Sequence, residues 1–426
     1  MKGLSTLCIL LLSTLFVEAQ DDVYPAPPYK GLLFITNATV HVGNGQVLEN
    51  TTIQVNNGKI EKIAANIPIP VDDVKVFNAK GKHVYPGLIL PDCDLGLKEI
   101  ASGVRGSNDY RELGEFNPDI RSIVAYNTDS KIINTLKANG VLLANVSPQG
   151  GIISGASSVV QLDAWNWEDA AYQTDNGIHV NMPSFISSSS AKPGEVAKEA
   201  VEKTDDIKSF FTQAASYLKE STHDHVNLKF EAVKGLFDKK QKLFVHANQV
   251  KQMLVAVDFV KQFHFEVVIV GGNASWQIAD LLKENNIAVI LGAEHDLPAT
   301  EDEDVDQPYK TPAILQKAGV LFALNDDATN TRYRNMSFNA GTAAAYGLTK
   351  EEALSAITLN AAKILGIANK TGSIEVGKDA NIIVSEGDIL DMKSSIVTLA
   401  IIQGRVVSLA NKQTQLYERY MKKYGL

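Results

Sequence analysis

Cysteine is nearly missing from this chain. Of the two present, Cys8 lies in the first apolar stretch and only Cys93 lies beyond it. One remaining thiol cannot form an internal disulfide, so stability must come from core burial, which a chain of this length supplies easily. Basic residues are in deficit: 40 Lys and Arg stand against 49 Asp and Glu, a formal charge of −9, and no basic patch stands out. That argues against nucleic acid and anionic membrane surfaces as partners. After the first segment no apolar run reaches membrane-spanning length. No serine or cysteine nucleophile motif is present. The glycine-rich stretch Gln149 to Ala156 lacks the strand-to-helix lysine context of a phosphate loop and reads as a turn on a rim.

Met1 to Ala19 has one early lysine, an apolar core and a small residue before Gln20, the composition of a secretory signal peptide. The expectation is an exported protein, periplasmic or secreted, without membrane contact once residues 1–19 are removed.

Short strand-like pieces fill residues 20–84, with Asn-Gly turn signals at Asn44-Gly45 and Asn57-Gly58. Strand-like pieces return in residues 370–426, with a turn at Gly404-Arg405. Chain ends often meet in space, so the two segments are expected to build one composite β-sandwich. Between them, residues 85–369 alternate short apolar runs with helix-length amphipathic stretches, the pattern of a parallel α/β fold. The expected strands are Leu88–Leu90, Gly140–Asn145, Leu243–His246, Val267–Val270, Ala288–Leu291 and Val320–Leu324. Helices are expected at Asp129–Asn139, Gly194–Leu218, Asn248–Phe263, Trp276–Asn285 and Thr349–Ile364, the last opened by a Thr-Lys-Glu-Glu capping box. A charged insertion, about 192–240, should pack on the flank or cover the mouth. The acidic loop Asp296 to Pro308 reads as solvated surface.

Tyr85 to Leu97 carries the most chemistry. Leu88, Ile89 and Leu90 suit a buried strand, and Asp92 and Asp94 follow two apart, placing both on one side if the strand continues. Cys93 would then point away from them. His246 closes another apolar run, where an imidazole is either a buried side chain bonded to backbone or, facing a cavity, a zinc ligand. Asp326 and Asp327 follow the run Val320 to Leu324, where Asp327 can serve as a general base or the pair can simply cap the following turn. His223-Asp224-His225 is the chain's only His-x-His, but it sits in the polar insertion and reads as a solvated pair.

Pro86-Gly87-Leu88-Ile89-Leu90-Pro91-Asp92-Cys93-Asp94 resembles the opening barrel strand of the amidohydrolase superfamily, with pattern Pro-Gly-(Leu/Phe)-Ile-Asp-x-His-x-His. Both metal-binding histidines of the pattern are replaced, by Asp92 and Asp94. Thr358-Leu359-Asn360-Ala361-Ala362-Lys363-Ile364-Leu365-Gly366 is similar to the family's structural Thr-x-Asn-(Pro/Ala)-Ala-x-x-Leu-Gly helix. His246 and Asp327 match a metal ligand and the terminal aspartate of the last strand, whereas Gly271-Gly272 stands where the family has His-Gly. The likeness, closest to exported imidazolonepropionase-like members, implies a distorted (β/α)8 TIM barrel with the composite β-sandwich. It also implies hydrolysis of a non-peptide carbon–nitrogen bond in a small-molecule substrate. Asp92, Asp94, His246 and Asp327 remain as ligands for one divalent ion, zinc or manganese, or for none. The alternative is an inactive binding protein, or a subunit beside an active paralogue or its own copy. A metal-free enzyme using the three carboxyls is a third reading.

Overall fold

The computed structural model describes residues 23–71, 74–99, 109–186, 194–292, 294–298, 302–326 and 332–426. The leader, the serine-rich lead-in at 187–190 and Asp327 lie outside the described residues.

The chain begins with β1 (Leu32–His41), β2 (Val47–Asn56), β3 (Lys59–Ala64), β4 (Val74–Asn78) and β5 (His83–Pro86). β1 pairs with β2 along one edge and with β4 and then β5 along the other. Asn57 and Gly58 turn β2 into β3 with φ of 48° and 81°. Two positive φ values in succession match the twist of a two-residue hairpin, which is why Asn-Gly signals one.

The middle of the chain supplies β6 (Leu88–Cys93), β7 (Val141–Val146), β8 (Ile153–Gln161), β9 (Ala171–Asn181), β10 (Lys242–Ala247), β11 (Val267–Gly271), β12 (Ala288–Leu291) and β13 (Phe322–Leu324). They form an eight-stranded sheet in sequence order, curled into a nearly closed barrel. The Asn325 amide donates to the Asp92 carbonyl at 2.9 Å, tying the last strand to the first. β6, β7, β11 and β12 are buried along their whole length, as runs covered on both faces must be. The distortion is local: β8 runs antiparallel to both neighbours, whereas the other neighbouring pairs are parallel.

The chain ends with β14 (Ile382–Ser385), β15 (Val397–Ile402) and β16 (Arg405–Val407). β14 pairs with β5, so strands from both ends share one sheet, with a core that includes Leu33, Ile53, Ile382 and Ile401. Buried ions fasten it to the barrel. Asp163 accepts from Lys137 Nζ at 2.8 Å, from Arg405 Nη1 at 3.2 Å and from the Ala26 amide at 2.8 Å.

Several elements depart from expectation. β8 and β9 are additional, because their polar and glycine-containing sequences show no apolar run. The helix expected over Thr349–Ile364 is two helices, Lys350–Ala356 and Leu359–Leu365, broken at Thr358, whose hydroxyl bonds the Leu354 carbonyl. The turn expected at Gly404-Arg405 is one residue earlier: Gln403 and Gly404 take positive φ and Arg405 opens β16. A C-terminal helix, Lys412–Tyr424, is also additional. In the charged insertion, helix Glu195–Tyr217 buries Phe211 among Phe259, Phe263 and Phe265, beside the flanking helix Val250–Phe263.

Candidate metal centre

Asp92 lies near the C-terminal end of β6, His179 of β9 and His246 of β10. β9 and β10 run parallel, with Phe244 opposite His179 and Asn181 opposite His246. That register points His179, Phe244 and His246 to the same side of the sheet. Below them an interior apolar layer includes Ile89, Leu143, Val268 and Ile290.

One carboxylate oxygen and two imidazole nitrogens, from Asp92, His179 and His246, lie within 4.8 Å of one another. His179 Nδ1 is 2.9 Å from His246 Nε2 and 3.8 Å from Asp92 Oδ1. Ser147 Oγ donates to Asp92 Oδ1 at 2.6 Å, which orients the carboxylate. The His179 ring is fully buried and stacks on Phe244, 4.7 Å between centroids and 8° from parallel. Desolvation, and after it the neighbouring His246, hold this imidazole well below its ordinary pKa, so it is neutral.

These residues fit a divalent ion. Two nitrogens at 2.9 Å can share one N–H between them, or turn both lone pairs toward a common cation beside the carboxylate. Two imidazoles and one carboxylate are a donor set that zinc or manganese accepts.

Of the four expected ligands, Asp92 and His246 are brought together. Asp94 is also buried, but its described partners are others: it accepts from Tyr333 Oη at 2.7 Å and from Gln149 Nε2 at 3.4 Å, and Lys98 Nζ is 3.9 Å away. Asp327 follows the described Asp326 and falls outside the described residues. His179 is the ligand that the sequence reading does not name. Its one signal is the fragment Ile178-His179-Val180, an imidazole between β-branched residues near a strand end.

Gly271 offers no ligand, and at its φ of 94° a side chain would be strained, with its Cβ against the Asn248 side-chain oxygen. Cys93 turns away from the cluster, its thiol 3.4 Å from the Asn145 carbonyl. His223 stacks on Tyr217 and contacts Glu220, far in sequence from any barrel strand end.

Residues 276–407 match the model of the amidohydrolase family. A solved amidohydrolase from Thermotoga maritima superposes with TM-score 0.77 at 26% identity, covering 88% of this chain and 99% of that one. These matches place the chain in the amidohydrolase superfamily, whose members generally use a divalent metal.

Within that class the sequence is imidazolonepropionase-like. The imidazolonepropionase of Thermoplasma volcanium is 24% identical over 80% of this chain and 85% of its own length. That of Kosmotoga olearia is 23% identical over 85% and 91%.

Proposed function

We propose that the chain is a hydrolase of carbon–nitrogen bonds in a small, non-peptide molecule, working with one divalent ion. The observation that carries the reading is the convergence of Asp92, His179 and His246 at the barrel mouth. Those three side chains would hold the ion. When bound, zinc or manganese supplies a Lewis acid and lowers the pKa of water toward neutrality.

The remaining tasks belong to the protein. Ser147 fixes the Asp92 carboxylate, and the stacking of Phe244 fixes the His179 ring. Asp327, placed after β13 by sequence, accepts a proton from the attacking water at a carboxylate oxygen and returns it to the leaving nitrogen. The apolar layer beneath keeps bulk water from entering below. Export rests on residues 1–19 and is part of the proposal; finding the chain with a matured N-terminus outside the cytoplasm supports it.

Metal analysis of protein purified without chelator is the test. About one equivalent of zinc or manganese is expected, with turnover of cyclic amides or imides that Asp327→Asn abolishes. No bound metal, and no turnover after either ion is added back, would leave the binding-protein reading in its place. Gly271 and the engagement of Asp94 by Tyr333 favour that second reading, because each removes a ligand position that the family fills.

A further inference from the structure

A second cavity opens at the same end of the barrel, past β11 and β12. Gly271 of β11 pairs with Ala247 of β10 and with Leu291 of β12, so the residues just beyond them stand on the rim that carries His246. Asn273, Glu294, Asp296, Leu297, Glu303 and Gln307 line the cavity, and the space between atoms comes to about 390 Å³, open solvent at the mouth included.

Glu294 is the anomaly. It is only 2% exposed, and its Oε2 has no hydrogen-bond partner among the described residues. Leaving a buried carboxyl oxygen unpaired is costly, so such groups persist where something else requires them.

The charge around it has one sign. Three carboxyls line the cavity, and no lysine, arginine or histidine does so among the described residues. The cation that follows, Lys310, is already bound to Asp304 at 3.1 Å and Asp306 at 2.7 Å. His295 turns elsewhere, its Nε2 2.7 Å from Thr342 Oγ1. Helix Gln307–Ala318 presents its N-terminal turn to the cavity, but a terminus is worth about half a positive charge and does not replace a cation beside Glu294. Desolvation alone pushes the Glu294 carboxyl well above its ordinary range, as expected for a group without a counter-ion.

We propose that this cavity is a substrate subsite that takes a planar cationic group, a guanidinium or amidinium, whose N–H donors pair with Glu294 while Asp296 and Glu303 supply the surrounding negative field. The assignment deepens the hydrolase reading and rests on it only for the word substrate; the binding itself needs neither metal nor turnover. A bidentate N–H to carboxylate pair in a partly desolvated cavity gives both affinity and selection against neutral isosteres.

Calorimetric titration of the full chain with methylguanidinium, and with its neutral isostere N-methylurea, tests the subsite. The wild type is expected to prefer the cation by about ten-fold or more, and Glu294→Gln to abolish that preference. Asp92→Asn is expected to retain it, which separates this test from the fate of the metal centre. Equal binding of the two probes by the wild type, binding of neither, or an undiminished preference in Glu294→Gln would overturn the assignment. Should Glu294→Gln fail to fold, Glu303→Gln is expected to reduce the preference, and an unchanged preference there counts against the proposal equally.

Discussion

The imidazoles of His179 and His246 meet nitrogen to nitrogen, Nδ1 to Nε2, at 2.9 Å. If the pair faces a shared ion, removing either ring must cost more than the roughly 10–100-fold in affinity typical of outer-shell partners. His179→Ala and His246→Ala are each expected to weaken zinc binding beyond that range, read by competition with a chromophoric chelator on folded protein. Zinc affinity unchanged in both variants would remove the proposed centre.

Tyr333 reaches from the segment after β13 to Asp94 on the opposite side of the barrel seam, donating to Oδ1 at 2.7 Å in a buried setting. Tyr333→Phe deletes only that donor. Because Gln149 and Lys98 still approach Asp94 Oδ2, the cost should sit near the lower end of roughly 1–3 kcal/mol. Urea unfolding measures it. A variant as stable as the wild type would mean that the hydroxyl bond is replaced by water.

Asp163 holds two cations, the buried Lys137 of the helix Lys131–Ala138 and the part-buried Arg405 of β16. Asp163→Ala leaves both without their carboxylate and is expected to cost about 3–5 kcal/mol by chemical denaturation. Replacing Asp163 by Leu together with Lys137→Met should recover part of that loss. A single-variant cost within about 1 kcal/mol would show that Arg405 and Lys137 find other partners.

His83 gives a pH dependence. Burial first, and then His41, whose Nε2 lies 3.0 Å from its Nδ1, hold its pKa below the usual 6.5. The fold thus prefers neutral His83, while the unfolded chain protonates near 6.5. This contribution is fully present above that value and is lost as pH falls from it through the lower folded value. Thermal midpoints recorded from about pH 8 down to about pH 5 should fall less steeply in His83→Gln than in the wild type. Parallel curves for the two proteins would assign the acid sensitivity elsewhere.

The barrel is legible where both faces of a strand are covered. Leu88 to Leu90, Val267 to Val270 and Ala288 to Leu291 read as apolar runs because every residue must shed water, and each lies in an observed strand. β8 is just as buried, but its Ser154, Gly155, Ser157 and Ser158 satisfy themselves with hydrogen bonds that composition does not reveal. β9 contains Asp175, Asn176 and Gly177, which ordinarily mark a turn. A strand hidden in this way hides its ligand. His246 stands out at the end of Leu243-Phe244-Val245, whereas His179 becomes visible only once β10 fixes its neighbour's register. Asp94 shows the converse: spacing puts it beside Asp92, but only three dimensions bring in Tyr333, a residue more than two hundred positions away.

The sheet shared by both chain ends has a consequence for synthesis. β5 receives its partner β14 only when nearly the entire polypeptide has left the ribosome. Until then a row of backbone amides and carbonyls waits uncovered beside a growing barrel, inviting adhesion to other nascent chains. Deleting β14 to β16 should therefore do more than shorten the protein; it should leave a sticky, unfinished edge that chaperones recognise and that aggregates once released.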